Sequence, residues 1–365
     1  MKSILLISPY WHEQHRWMVS SVKMAELWQR IGYKVVVLCM GHGTRYEKVS
    51  ETLEIHRRPD VFIPDPWNYG ISFSVLGAAL SLARELRPDI IVVNKVLFWT
   101  SIAAPILRLS GHKVLLMTDA LVGMTWWPRG LVGKICAAIY AHTLGWLILL
   151  SATKIIFFHP QPEAVLRRLR IAKKSMVIPT GIDEKRFGPR IQHRGVVVTY
   201  IGRLESVKGA DDFVAAALKA KKEESAIEIQ VVGWYKPNHP LVAAHDREVR
   251  FTGLRKDVET ILASSDIFVL PSYSEGLSNA LMEALSAGCA CIASDVGGNR
   301  FLIENGVSGF LFPAGDREAL AGHIRRLSGD PEKRLQLGEK AKQRIAAIFS
   351  WEKVGKRYDD VFRSW

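Results

Sequence analysis

Short, continuous apolar runs recur along the chain and alternate with segments of helical periodicity. In the first half the runs are Ser3–Ser8, Lys34–Met40, Asp89–Val93, Lys113–Met117 and Ile155–Phe158, with helices expected near Met18–Ile31, Phe73–Leu86 and Thr100–Leu109. Val196–Ile201, Ile227–Val232, Asp266–Leu270 and Ala290–Ala293 repeat the pattern, with helices near Asp211–Glu223, Val258–Ala263 and Ser278–Ala287 between them. Strands that are apolar throughout, not alternately, must be covered on both faces, which is the signature of a parallel sheet with helices on each side. The chain has 365 residues, and at about 150 residues per domain that suggests two such domains. The joint falls near Pro179–Pro189, where Pro179, Gly181, Gly188 and Pro189 interrupt both periodicities.

Charge is divided unevenly between the halves. Residues 1–180 carry 22 Lys and Arg against 11 Asp and Glu, a net of +11; residues 181–365 carry 27 against 25, a net of +2. A basic excess suits nucleic acid, an anionic membrane or a phosphorylated substrate, and no nucleic-acid motif accompanies it, which argues against the first. The four cysteines, Cys39, Cys136, Cys289 and Cys291, sit in apolar runs without C-x-x-C spacing. They are expected to be buried, reduced thiols, and no metal-ligand spacing is present. The opening MKSILLISPY has only a four-residue apolar run, Ile4–Ile7, ending at Ser-Pro, and is expected to be a buried strand and not a secretory leader.

Two strand-to-helix turns carry the chemistry. In DIFVLPSYSEGLSNALMEALSAGCACIASDVGG, Asp266–Gly298, a buried strand runs through Pro271 into a polar turn and then a helix. Glu275 lies in the turn and Glu283 eight positions later in the helix. Gly276 and Leu277 offer backbone N–H groups beside a helix N-terminus, a place that favours anions. A helix carboxylate near that end can accept hydrogen bonds from a pair of hydroxyls. In YIGRLESVKGADDF, Tyr200–Phe213, the loop after the strand holds Arg203 and Lys208. Two cations there could hold a diphosphate and stabilise it as it departs. Singly, each of these residues reads equally well as a solvated loop or helix charge.

Taken in order with VIPTGIDEKRF (Val177–Phe187) and FTGLRKDV (Phe251–Val258), these stretches resemble the C-terminal domain of retaining glycosyltransferases of family 4, which have the GT-B architecture of two Rossmann-like domains facing a central cleft. The resemblance implies that Glu283 holds the nucleotide ribose and that Glu275 meets the donor sugar. It implies backbone contacts from Gly276 and Leu277, with Gly202 and Ser278 also lining the donor, and Arg203 and Lys208 on the leaving diphosphate. The implied donor is a UDP- or GDP-linked sugar, with no cofactor and no metal. Closing FSWEKVGKRYDDVF resembles the family's helix that crosses back to the first domain. The expected domains are therefore an acceptor-binding one over 1–180, a nucleotide-sugar-binding one over 181–348, and the crossing helix over 349–365.

The first half departs from the family. Its loop after strand one, Pro9–Trp17, lacks the glycines that let backbone approach phosphate. His12, His15 and Arg16 are the side chains that could contact donor or acceptor instead. Where many members place a histidine at the end of a later strand, this chain has Asp119, which could orient the acceptor hydroxyl, accept its proton, or cap the next segment. Phe301 stands where an acid is common.

Ile135–Thr153 holds 19 residues with only His142 ionisable. It is either a core helix or one lying in a membrane interface, and its nearly all-round apolarity favours the interface. Trp126, Trp127 and Arg129 before it, and Arg167, Arg168 and Arg170 with Lys173 and Lys174 after it, are the expected membrane contacts. A peripheral enzyme on the cytosolic face with a lipid-linked acceptor follows as an expectation. A soluble enzyme with a small acceptor and an inactive homologue are the competing readings.

Overall fold

The computed structural model describes residues 1–11, 19–63, 69–127, 130–224 and 226–365. The chain divides into two compact units, Met1–Thr180 with Val354–Trp365, and Gly181–Lys353.

The first unit contains β1 (Ser3–Ile7), β2 (Lys34–Gly41), β3 (Arg45–Ser50), β4 (Leu53–Pro59), β5 (Val61–Ile63), β6 (Tyr69–Ile71), β7 (Ile90–Asn94), β8 (Leu115–Thr118), β9 (Lys154–Phe157) and β10 (Ser175–Val177). Its helices are α1 (Val19–Arg30), α2 (Phe73–Leu86), α3 (Ala103–Leu109), α4 (Leu131–His142), α5 (Leu144–Ser151) and α6 (Glu163–Arg168). One sheet has the order β10-β9-β8-β7-β1-β2-β4-β3, and β5 pairs with β6 apart from it. Strands β1, β2, β7, β8 and β9 are buried along nearly their whole length, as their unbroken apolarity requires. The edge departs from the all-parallel expectation: β3 pairs antiparallel with β4. Its sequence RYEKVS alternates no apolar face and is almost wholly exposed, a charged edge of the kind that resists further strand addition. From Val354 the closing helix belongs to this unit: Tyr358 and Phe362 pack edge-on against Trp28, and Tyr33 Oη donates to Asp359 Oδ1 at 2.9 Å.

The second unit contains β11 (Val196–Ile201), β12 (Ile227–Val232), β13 (Val249–Phe251), β14 (Ile267–Leu270), β15 (Ala290–Ser294) and β16 (Phe310–Phe312), with α7 (Ala210–Glu223), α8 (Pro240–His245), α9 (Val258–Ala263), α10 (Asn279–Ala287), α11 (Asn299–Leu302), α12 (Arg317–Gly329) and α13 (Pro331–Ile348); α14 (Trp351–Arg363) starts in it. All pairings are parallel, in the order β13-β12-β11-β14-β15-β16. Numbered within the unit this is 3-2-1-4-5-6, the doubly wound Rossmann order, whose ligand crevice opens where the order reverses, between β11 and β14. The core on one face is built by Phe213, Val214 and Ala217 of α7 against Val198, Tyr200 and Val231. On the other, Leu281, Met282 and Leu285 of α10 pack on Phe268, Leu270 and Cys291.

Two sequence expectations fail in the first unit. Ile135–Thr153 is not one helix: α4 begins at Leu131, and the chain breaks at Thr143, whose φ of −121° and ψ of −103° are far from helical. Gly145 then lies against the Tyr140 ring, where a Cβ would come within 2.8 Å of it. Cys136 is exposed, unlike Cys39, Cys289 and Cys291, because the apolar run that holds it turns one face outward instead of into the core.

Candidate active site

Strand β11 ends at Ile201, and a tight loop carries the chain through Gly202 and Arg203 to Lys208 and into α7. Gly209 makes that entry possible. Its φ is +68°, and a Cβ would lie 2.2 Å from the Pro271 carbonyl, so this loop and the one after β14 touch backbone to backbone. Lys208 Nζ consequently reaches Glu275 Oε1 at 2.8 Å, and Ser272 Oγ donates to the same oxygen at 2.6 Å. The Glu275 side chain is 8% exposed and that of Lys208 26%. The carboxylate is thus sequestered, and the ammonium keeps the open side.

The turn holding Glu275 is clamped from beneath. Gly298 N donates to the Gly276 carbonyl at 3.0 Å, and a Cβ on Gly297 (φ +49°) would fall 1.9 Å from the Glu275 carbonyl. Ser278 caps α10 by accepting from Leu281 N, which places Gly276 and Leu277 at the helix's amino end. Glu283 is half-buried on the same helix. A buried carboxylate behind this turn, Asp212 of α7, accepts from Tyr273 Oη at 2.7 Å and Arg317 Nε at 2.6 Å and ties the turn to α12. Sequence reading put Arg203 and Lys208 on a diphosphate beside the Glu275 turn; of the two, Lys208 pairs with Glu275 itself. Arg203 is exposed and pairs with Glu205 at 2.9 Å, because the short loop gives it a nearer carboxylate.

The first unit has a lysine–carboxylate pair at the matching end of its own sheet. Lys95 follows β7 in a left-handed conformation (φ +74°), beside β1 where this sheet's order reverses. Its Nζ donates to Asp119 Oδ2, just after β8, at 2.6 Å and lies 5.4 Å from the Phe158 ring centre. Here the exposures are inverted: Lys95 is 12% exposed and Asp119 32%. Burial raises the Asp119 carboxyl, but the Lys95 ammonium, a backbone hydrogen bond and His159 together hold the group below its ordinary 3.8. His159, after β9, is buried and its pKa is lowered by that burial despite Asp119. Gln161 Nε2 donates to the Asp119 carbonyl at 3.2 Å while its Oε1 accepts from Thr125 Oγ1 at 2.7 Å. Lys95 was missed in the sequence, although a lysine closing the apolar run DIIVVN was visible there. His12, His15 and Arg16 lie outside the described residues. Among the described residues no cluster of His, Cys, Asp and Glu could hold a metal ion.

Sequence comparison matches residues 19–186 to the family described as Glycosyltransferase Family 4 and residues 195–330 to Glycosyl transferases group 1. The chain belongs to glycosyltransferase family 4. Among curated relatives, this family 4 chain is 29% identical over 211 residues to the Escherichia coli UDP-Gal:alpha-D-GlcNAc-diphosphoundecaprenol alpha-1,3-galactosyltransferase, covering 51% of this chain and 54% of that protein. It is 30% identical over 221 residues to the D-inositol 3-phosphate glycosyltransferase of Salinispora tropica, covering 51% and 45%. The chain thus spans about half the length of the curated relatives it matches. Over its whole length it superposes on sucrose-phosphate synthase from Thermosynechococcus elongatus with a TM-score of 0.81 at 21% identity, covering 99% of that chain. On Anabaena HepE, solved in complex with UDP, the TM-score is 0.76 at 15% identity with full coverage of both. These likenesses establish the GT-B fold.

The family 4 chain also carries an apolar face in its first unit. Leu131, Val132, Ile135, Ile139, Leu147 and Leu150 of α4 and α5 are exposed, and the Leu131–Ser151 segment is by length and composition apolar enough to cross a bilayer, with 22% of its 18-residue apolar window buried. No Asp or Glu occurs between Asp119 and Glu163. The basic segment is fastened alongside: Trp146 Nε1 donates to the Leu169 carbonyl at 3.3 Å, and Lys174 Nζ to those of Leu150 and Ala152 at 2.7 and 2.8 Å. Arg168, Arg170 and Lys173 are exposed there, and Arg167 pairs with Glu163. Of the expected aromatic contacts, Trp127 is exposed and Trp126 half-buried, held by its bridge to Val122; Arg129 lies outside the described residues.

Proposed function

We propose that this protein is a retaining glycosyltransferase that moves a sugar from a UDP- or GDP-linked donor to a lipid-linked glycan or glycolipid at the cytosolic face of a membrane. The observation that carries the reading is the Lys208–Glu275–Ser272 junction at the reversal point of the second sheet. An ammonium with its carboxylate buried behind it, beside the amino end of α10, is a site for a diphosphate. In this reading Lys208 and Arg203 stabilise the leaving diphosphate, with Arg203 first exchanging Glu205 for phosphate. Glu275 meets the donor sugar, Glu283 takes the ribose hydroxyls, and Gly202, Gly276, Leu277 and Ser278 line the donor. The C1–O bond to phosphate breaks as the acceptor oxygen bonds C1 on the same face, and the acceptor proton passes to the leaving phosphate. That route needs neither a protein nucleophile nor a metal.

The second unit would thus be the donor domain and the first the acceptor domain, with Asp119 orienting the acceptor hydroxyl. The apolar α4–α5 face with its exposed basic flank supports a peripheral membrane site, and one relative is named for a diphosphoundecaprenol acceptor. The D-inositol 3-phosphate relatives favour a second reading, a small soluble acceptor.

The test is release of nucleotide from a panel of UDP- and GDP-sugars, with and without polyprenyl-linked lipid extract, against a Lys208→Ala/Glu275→Ala variant. Release from one donor that rises with lipid and vanishes in the variant is expected. Release indifferent to lipid would move the acceptor to the soluble class, and none from a folded protein would overturn the transferase.

A further inference from the structure

The pair after β7 and β8 presents the opposite charge to the pair after β11. Lys95 is the sequestered member, lodged between Asp119 and the Phe158 ring, and the carboxylate holds the open side. With His159 kept neutral by burial, the three groups carry no net charge, so nothing here offsets the cost of bringing up a phosphate dianion. A carboxylate at a strand's carboxyl end accepts hydrogen bonds from hydroxyls, and an ammonium 2.6 Å away has protons beyond the one that Asp119 takes. An acceptor and a donor at that spacing match two neighbouring hydroxyls of a sugar ring.

We propose that Lys95 and Asp119 together bind adjacent hydroxyls of the acceptor sugar, and that Asp119, by masking Lys95, keeps phosphate groups out of this pair. The assignment to the acceptor rests on the transferase reading above; the masking does not. Removing the carboxylate while keeping the shape should convert a polyol site into an anion site.

Inorganic phosphate is the probe, titrated calorimetrically into the whole protein, Asp119→Asn, Asp119→Ser and Lys95→Met/Asp119→Asn, each checked for a native melting transition. The double variant subtracts phosphate bound anywhere else, the donor site included. A phosphate site about 10- to 100-fold tighter in the two single variants than in the parent, the scale of a hydrogen bond to a charged group, and lost again in the double variant, is expected. No gain in whichever single variant folds would overturn the masking. In parallel, acceptor-dependent turnover should be inhibited by free neutral sugars more than by their phosphates, and the preference should reverse in Asp119→Asn. Stronger inhibition of the parent by sugar phosphates would overturn the proposal. If no donor turns over at all, the transferase reading fails, while the phosphate titrations still decide whether Asp119 masks Lys95.

Discussion

The two units place the same pair of groups at equivalent ends of their sheets and turn them opposite ways. In the second, Glu275 is buried under Lys208 and the cation faces out; in the first, Lys95 is buried under Asp119 and the anion faces out. Each pair is neutral as a whole, so net charge does not distinguish them. What differs is which member a ligand meets first, and the backbone decides that. Glu275 sits in a turn pinned by Gly297 and Gly298, whereas Lys95 is drawn in by its left-handed backbone and the Phe158 ring. In the proposed reading, a phosphate-bearing donor meets the outward cation and a hydroxyl-bearing acceptor the outward anion.

The sharpest way to break the comparison is to delete the outward cation. Lys208→Met should lower donor turnover by about 10²- to 10³-fold, the loss seen when one preorganised charge-stabilising donor is removed. It also leaves Glu275 buried without its counter-ion, so the second unit should melt earlier. Turnover close to that of the parent would mean that Lys208 serves the fold alone and that the two pairs are not functional counterparts.

Next in size is the clamp beneath Glu275. Gly297→Ala introduces a Cβ into the Glu275 carbonyl at a positive φ, and strain of this kind costs of order 1–3 kcal/mol. Chemical denaturation should show that loss, and nucleotide affinity should fall with it as the turn shifts. A stable variant with weakened nucleotide binding would still fit; a stable variant with unchanged binding would show that the turn does not depend on this contact.

The second unit was the more legible of the two. The order of its motifs resembles family 4, and that resemblance, not chain spacing, put Lys208, Glu275 and the helix amino end together, although Lys208 and Glu275 lie 67 positions apart. The pairing of Arg203 with Glu205 was not read from sequence, because side-chain choice between nearby partners leaves no periodic trace. In the first unit, Lys95, Asp119 and His159 come from three separate strand ends, and their meeting depends on strand order, which apolar periodicity does not encode. The apolar run near 135–153 announced by its all-round apolarity that it would not be wholly buried, but it hid its break at Thr143, which leaves no trace in a run with no polar face.

That outward face offers a smaller but cleaner test, because Ile135 and Ile139 are exposed. Ile135→Glu/Ile139→Glu replaces two exposed side chains, so the melting temperature should hardly move. If the face enters a bilayer, each isoleucine contributes about 1 kcal/mol on becoming buried, and the pair about 30-fold in partition onto anionic vesicles by sedimentation. Donor hydrolysis in solution should stay unchanged and only transfer to a lipid-borne acceptor should fall. Tyr140 of α4 donates to the Val96 carbonyl next to Lys95, so this face and the acceptor pair are one hydrogen bond apart in structure. A variant that lost vesicle binding and also altered soluble turnover would show that they are coupled.

The smallest expected effect separates the two pairs by pH. Asp119 is held below its ordinary 3.8 by Lys95 against the opposing effect of burial, with His159 the other titratable group facing it. A depressed carboxyl contributes to stability above the unfolded value and loses that contribution as pH falls through the folded one. In Lys95→Met burial is opposed only by the backbone hydrogen bond and His159, so the Asp119 carboxyl should rise relative to the parent. The acid limb of acceptor-dependent kcat/KM should then move upward, with activity lost near the bottom of the range and little change at neutral pH. Nucleotide binding by the second unit should keep its profile, because its own pair is untouched. An acid limb that stays in place would mean that Asp119 does not act as an anion in transfer; a limb that moves for both units would mean that the variant has loosened the fold and not one pair.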